Sequence, residues 1–306
     1  MKKRQLGKSD IFVSEIGLGC MSLPTNQVEA NKIINLALEN GITYFDTADL
    51  YDKGKNEEIV GNALKNKRQN IILATKVGNR LNESGEGWSW DPSKKWITSA
   101  IHQSLKRLQT DYIDIYQLHG GTMEDDVDEV IDTMESLKKE GLIREYGISS
   151  IRPNVIERFL QKSSAVSVMM QYSLLDRRPE EWFTLLEQND ATLLSRGTLA
   201  KGLLTADGLN RAKKTKEYLS YSQKELIAVI EQLQAINAPI TSIAIQYVLQ
   251  VKTNGSMVIG ASRTEQLLES MKAYNTLVPE ELLQKASEIT KQDIYREHRT
   301  LNLPLN

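Results

Sequence analysis

The sequence predicts a single α/β domain, a closed (β/α)8 TIM barrel with a short N-terminal hairpin and extra C-terminal helices. Two patterns predict it. Short apolar or β-branched runs alternate with segments of helical spacing, which implies βαβ units and a parallel sheet. Eight such runs follow one another without a compositional break, which favours a closed barrel over two open sheets. The 306 residues are compatible with one barrel domain, since such barrels commonly run to about 250 residues. The domain is therefore drawn over 1–306.

Residues 3–6 and 11–13 are short extended pieces on either side of a Gly-Lys-Ser-Asp turn, and they form the hairpin. The first barrel strand is SEIGLGC. Helical spacing over 27–40 leads to ITYFD, and over 56–66 to NIILATK. Helix 93–108 precedes DYIDIYQLH, helix 126–140 precedes IREYGIS, helix 153–161 precedes AVSVMMQ, and helix 179–189 precedes ATLLS. Helices 222–234 and 242–250 lead to the eighth strand, SMVIG. Helices 264–274 and 279–291 follow it, and the tail RTLNLPLN reads as irregular. Two connections, 78–92 and 196–221, are much longer than the usual 2 to 6 or so residues of α/β units. Both follow strands, which puts them on the face of a barrel where active sites are built.

The composition is 40% hydrophobic and 25% charged, close to the globular average, so a sizeable core is expected and disorder is not. A net charge of -2 and a pI near 6.1 give no electrostatic footprint for nucleic acid or an anionic membrane surface. The expected partner is a small molecule. A single cysteine, Cys20, excludes an intrachain disulfide and fits a reducing compartment. The basic N-terminus has no uninterrupted apolar stretch of signal-peptide length, and no segment approaches about 18 apolar residues. A cytoplasmic location is expected.

The second strand ends in Asp46, the third in Lys76 and the fourth in His119, and Tyr51 stands in the loop just past Asp46. All four converge on one rim. A carbonyl reduction needs a proton donor, and a tyrosine hydroxyl with a reference pKa of about 10 is too weak an acid unless a cation stabilises its phenolate. Lys76 supplies that charge, Asp46 holds Lys76 in place, and His119 hydrogen-bonds the substrate oxygen or shares in the proton transfer. Singly, each has a plainer reading: Asp46 as a cap or turn residue, Tyr51 as a wall residue, Lys76 as a solvated charge. His119, followed by Gly-Gly at the end of an apolar strand, has little packing reason to be there. His102 and His298 read as structural or solvated.

The stretches GLGCM, GITYFDTADLYD with NEEIVGNAL, ILATKVG, SLKRLQTDYIDIYQLH, GLIREYGISS and VIGASRTEQLLESM resemble the aldo-keto reductases from about residue 13 to residue 273. The resemblance is closest to the bacterial branch that is also similar to the voltage-gated potassium channel β subunits. It implies the barrel, NADPH as cofactor, and a catalytic tetrad falling on Asp46, Tyr51, Lys76 and His119. Gly17-Leu18-Gly19 does not make a Rossmann fingerprint, which wants glycine or alanine at Ser22. Barrels bind phosphate with the loops after strands seven and eight. RGTLAKGLL after the seventh brings Arg196, Gly197, Leu199 and Lys201, whose glycines admit an anion to the backbone. In GASRTEQLLES, which opens a helix with Arg263 in its first turn, the resemblance puts Gly260, Ser262, Arg263, Gln266 and Glu269 at the adenosine 2'-phosphate and adenine. Guanidinium suits phosphate through paired donors. Ser149 and Gln171 match the carboxamide-binding positions, with Met21 near the same ring.

Three departures from the family pattern stand out. Ser150 replaces the usual asparagine, Ser270 stands where asparagine is common, and Arg196 replaces the aromatic residue that stacks on the nicotinamide. An arginine plane can stack as well, or reach the pyrophosphate. Trp88 and Trp90 are candidates for the substrate wall, or else pins that hold their loop to the barrel. The leading function is NADPH-dependent reduction of aldehydes or ketones. The resemblance to channel subunits prompts a second, an NADPH-binding sensing subunit with little turnover. A third is a lyase using Lys76 as a Schiff-base nucleophile, which the neighbouring Asp46 disfavours. The resemblance leans towards a monomer.

Overall fold

The computed structural model describes residues 1–82, 84, 86–297 and 299; His298 and most of the 299–306 tail lie outside them. Eight parallel strands close into a barrel: β1 Ile16–Gly19, β2 Tyr44–Asp46, β3 Ile72–Val77, β4 Ile113–Leu118, β5 Ile143–Ser149, β6 Ser167–Gln171, β7 Thr192–Arg196 and β8 Asn254–Gly260. Each pairs with its neighbours in chain order, and β8 returns to β1. All eight runs read as strands in the sequence are the barrel strands.

Around them run α1 Gln27–Glu39, α2 Lys55–Leu64, α3 Lys94–Leu108, α4 Val127–Lys139, α5 Pro153–Lys162, α6 Phe183–Gln188, α7 Gly208–Ala212, α8 Gln223–Gln234, α9 Ile240–Leu249, α10 Thr264–Asn275 and α11 Glu280–Ile289. Several starts are fixed by side chains that satisfy free amides of the first turn. Asn26 accepts from Val28 and Glu29, Ser93 from Trp96 and Asp126 from Glu129, while Ser222 and Glu225 form a reciprocal capping box. The helix expected over 179–189 is instead a 3-10 turn, Arg178–Trp182, followed by the short α6.

The hairpin pairs Lys3–Gln5 with Phe12–Ser14 and closes the N-terminal end of the barrel. Its Leu6, Ile11 and Val13 pack against the interior residues Tyr44, Ala74, Ile115, Met169, Leu194 and Val258. Arg4 fixes it there: its guanidinium donates to the carbonyls of Leu249, Val251 and Asn254 and to Glu15, and so satisfies carbonyls left free at the end of α9. Both long connections carry structure. Asn79–Leu81 pairs antiparallel with Trp88–Trp90, and the 196–221 segment holds α7 and a ribbon of Glu217–Tyr218 with Tyr221–Ser222.

Helices α2 and α3 meet closely at Gly61, where an added Cβ would lie 2.5 Å from the Arg107 carbonyl oxygen and 2.6 Å from the Leu108 carbonyl carbon. Backbone cannot yield as a side chain can, so Gly61→Ala should destabilise the fold by about 1–3 kcal/mol, the usual cost of overpacking. Thermal denaturation checks this; an unchanged midpoint would mean that the two helices separate freely.

Candidate active site

Side chains alternate along a strand, so a residue two positions past an interior one also points into the barrel. Counting two on from interior residues Tyr44, Ala74, Ile115, Met169, Leu194 and Val258 gives Asp46, Lys76, Gln117, Gln171, Arg196 and Gly260. The interior therefore has an apolar floor and, one layer above it, a polar tier at the C-terminal mouth. Registers agree: Lys76 lies beside Gln117 and Gln171 beside Arg196.

At the centre of that tier Lys76 Nζ lies 2.6 Å from Asp46 Oδ2 and 2.7 Å from the Thr47 carbonyl oxygen. Gln117 Nε2 donates to the other Asp46 oxygen at 3.1 Å. Lys76 is 1% exposed and Asp46 4%. Burial works against the lysine's charge, but Asp46 and then Tyr51 outweigh it, so its pKa is raised and it stays an ammonium. Tyr51 opens a short turn, Tyr51–Gly54, and its ring centroid is 5.1 Å from Lys76 Nζ. The His119 ring meets Tyr51 edge-on, with centroids 6.0 Å apart. The four residues read as catalytic are thus brought together.

His119 Nδ1 is buried without a hydrogen-bond partner among the described residues. Burial first, then the charges of Lys76 and Arg196, push its pKa down to about 3, so its imidazole is neutral throughout the physiological range. Gly120 and Gly121, after it, have φ of 136° and 114°, where a side chain is strained. A Cβ at Gly120 would also lie 3.2 Å from the Trp90 ring. Trp90 is pinned there, its indole N–H donating to Asp125 Oδ1 at 2.8 Å. Trp88, by contrast, is 56% exposed.

The other expected contact residues ring the same mouth. Ser149 and Gln171 end β5 and β6, and Arg196 ends β7 with its charge acting on both Asp46 and His119. Gly197 takes φ 72° over the Gln171 side chain; Leu199 is half-buried and Lys201 exposed. Gly260 ends β8, and a Cβ on it would reach 2.7 Å from Ser22 Oγ. Arg263 is the cap residue of α10, outside the first turn where the sequence puts it, and makes no capping hydrogen bond. The Gln266 side-chain oxygen Oε1 accepts from the Ser262 amide and hydroxyl at 2.8 and 3.1 Å. Glu269 and Met21 are exposed. Ser150 is buried and accepts from the Arg152 amide, and Ser270 donates to the Gln266 carbonyl of its own helix. Sequence reasoning missed Gln117. The signal was there: an amide two residues before His119 shares its inward face.

The mouth holds a lysine–carboxylate pair, a phenol and a neutral imidazole within one tier, which is equipment for moving a proton at an oxygen. Compared with known proteins, residues 15–291 match the model of the aldo/keto reductase family. The chain belongs to that family. It is 52% identical over 98% of its length, and all of the relative's, to the uncharacterized oxidoreductase YqkF of Bacillus subtilis (strain 168). Among solved structures it matches the holo form of aldo-keto reductase AKR11C1 from Bacillus halodurans at 50% identity and a TM-score of 0.94, covering 98% of this chain and 100% of that one. A more distant relative, 30% identical over 90% of this chain and 94% of its own, is the NADH-specific methylglyoxal reductase of Escherichia coli (strain K12). As an aldo/keto reductase the protein is an oxidoreductase of a family that works with nicotinamide cofactors. Among the described residues no helix is long and apolar enough to cross a membrane, and no His, Cys, Asp and Glu cluster suits a metal ion.

In an NMR titration of this reductase, the His119 imidazole should show no protonation step near the ordinary histidine value of about 6.5 and begin to titrate only as pH approaches about 3. A step near neutrality would show that neither burial nor the charges of Lys76 and Arg196 govern it.

Proposed function

We propose that this aldo/keto reductase uses NADPH to reduce aldehydes or ketones to alcohols, with Tyr51 as the proton donor. The observation that carries the reading is the Lys76 ammonium, held by Asp46 and Thr47 and lying against Tyr51. A phenol beside a fixed cation releases its proton more readily, because the phenolate is stabilised where it forms. Asp46, steadied by Gln117, keeps that cation in place. His119 is neutral, so its role is to donate a hydrogen bond to the carbonyl oxygen and hold it near Tyr51, not to act as the acid. The residues at the mouth would hold NADPH, whose nicotinamide would supply the hydride to the carbonyl carbon.

The residues around the mouth fit such a cofactor. Positive-φ Gly197 and the side-chain-free Gly260 leave backbone accessible at the lips of β7 and β8, where barrels take phosphate. Among the described residues His119 Nδ1 has no hydrogen-bond partner. Arg196 would stack on the nicotinamide or reach the pyrophosphate, Ser149 and Gln171 would bind the carboxamide, and Met21 would sit near the ring. Gly197, Leu199 and Lys201 would line the phosphates, with Gly260, Ser262, Arg263, Gln266 and Glu269 around the 2'-phosphate and adenine. Trp88 would wall the substrate, while Trp90 fixes the loop beneath it. We further read the chain as one domain, acting as a cytoplasmic monomer, in the branch similar to the potassium channel β subunits.

Tyr51→Phe should lower kcat with a generic aromatic aldehyde by about 10²–10⁴-fold, the range of general acid catalysis, with NADPH affinity kept. Arg263→Ala should weaken NADPH by about 10–100-fold, the loss of a charged hydrogen bond, and leave NADH affinity unchanged. Fluorescence titration and NADPH consumption read both. Tight binding without turnover would transfer the reading to a sensing subunit, and an Arg263→Ala variant that binds NADPH normally would remove the phosphate anchor.

A further inference from the structure

Asp49 lies in the turn between Asp46 and Tyr51, and its amide donates to the Lys76 carbonyl oxygen at 3.3 Å. It is 9% exposed, and neither carboxyl oxygen has a hydrogen-bond partner among the described residues. The other buried acids are all engaged: Glu15 by Arg4, Asp46 by Lys76, Glu57 by Arg107, Asp114 by Arg68 and Arg144, and Asp176 by Arg178. The amide of Leu50 faces Asp49 but falls short of hydrogen-bond geometry.

The groups around it explain why no partner comes. From α2 it faces Glu57, from α3 Arg107, from β3 Lys76 and from β4 Tyr116, whose buried hydroxyl also has no partner among the described residues. Arg107 is bonded to Glu57 at 2.6 Å, and Glu57 also accepts from Thr75 and Ser104. Lys76 is bonded to Asp46. Both cations are committed elsewhere, and Glu57 adds a like charge. A bare carboxylate buried in that setting is untenable, and such a group takes up a proton instead. Burial first and Glu57 next push its pKa up to about 8. The neutral acid also brings an O–H to a pocket whose other unpaired group, Tyr116, can accept one.

We infer that Asp49 is a positioning residue that stays a neutral carboxylic acid in the working enzyme, and that its ionisation sets a second negative charge beside Lys76. With one carboxylate, Asp46, the ammonium's remaining field falls on Tyr51. A second carboxylate offsets that field and makes the phenol a poorer donor. Asp49 thereby fixes the alkaline limit of carbonyl reduction. The effect on rate rests on the proposed reductase reading; the protonation of Asp49 does not.

Infrared difference spectra between about pH 6 and about pH 9.5, on either side of the Asp49 titration, should show in the wild type a protonated-carboxyl band that disappears at the higher pH and is absent from Asp49→Asn. The pH profile of kcat should fall through about pH 8 in the wild type to a lower plateau, less steeply than tenfold per unit, because the ionised form weakens Tyr51 without removing it. That fall should be absent from Asp49→Asn and restored in Asp49→Glu. Should Asp49→Asn not fold, Glu57→Gln serves, since removing the neighbouring charge must move the infrared midpoint down. No band that Asp49→Asn removes, or no downward shift in Glu57→Gln, overturns the inference. A band with superimposable kcat profiles overturns the positioning role. A chain that reduces no carbonyl removes the reductase reading, and the band alone then decides the state of Asp49.

Discussion

An ammonium held almost wholly out of water at the mouth of the barrel is the constraint that the surrounding structure answers. Removing a charge from water costs several kcal/mol per ion even after relaxation, and only well-placed acceptors offset it. Lys76 finds two, a carboxylate and a backbone carbonyl, both within 2.7 Å, and keeps its third N–H for the side where Tyr51 lies. The acceptors come from adjacent residues, Asp46 and Thr47, at the end of a strand of three. That brevity is useful. The chain leaves the sheet at once and turns back over the lysine, so one six-residue passage supplies the counter-ion, the carbonyl and the phenol.

The turn itself is held from outside the barrel. Thr47 donates its hydroxyl to Asn56 at 2.6 Å, and Asn56 donates to the Cys20 carbonyl oxygen at 2.8 Å, which ties β2, α2 and the exit of β1 into one unit. Since α2 also carries Glu57 and packs backbone-close on α3 at Gly61, the helical layer sets how the site residues sit. The charges then act on one another. Lys76 and Arg196 both bear on His119, so two cations and one paired carboxylate define the mouth of a chain whose net charge is -2. Burial first and these cations next leave the imidazole neutral, and a positive local field favours negative charge developing on an oxygen there.

What was legible in the sequence follows from which interactions are local. The eight strands were, because each is a short apolar run whose length survives without knowledge of its partners. The meeting of Asp46, Lys76, Tyr51 and His119 was, because strand ends in a barrel share one rim. Gln117 was not, although alternation from His119 pointed to it: an amide within an apolar run reads as noise until the carboxylate it holds is known. The ribbon in 78–92 was illegible because it depends on Trp90 lying over Gly78 and Gly120, glycines from two different strand exits. Arg4, whose carbonyl partners lie some 245 to 250 residues away, could be placed against them only by the closed fold. The early start of α9, at Ile240, was missed because Pro239 stands at its cap, where proline reads as a break in the pattern.

The mouth also divides by sector. Met21, Trp88, Met123 and Ile151, all large and between 40% and 62% exposed, follow β1, β3, β4 and β5. Arg196, Lys201, Ser262 and Arg263 end or follow β7 and β8. Because the strands are ordered around a closed ring, an apolar arc faces a polar, cationic one across the Lys76–Asp46 pair. Under the proposed reading the part of the apolar arc after β3, β4 and β5 receives the carbonyl compound, Met21 lies by the nicotinamide, and the cationic arc receives the phosphates, with the inward tier common to all. That tier is fixed by strand register, in which a slip of one residue would turn Asp46, Lys76 and Gln117 outward. The arcs stand on loops and are free of that constraint. The acid-transfer apparatus can therefore stay fixed while substrate and cofactor preference change. Under that reading, differences between this chain and a relative named as NADH-specific at 30% identity would lie in the arcs, where this chain's β8 exit carries Arg263.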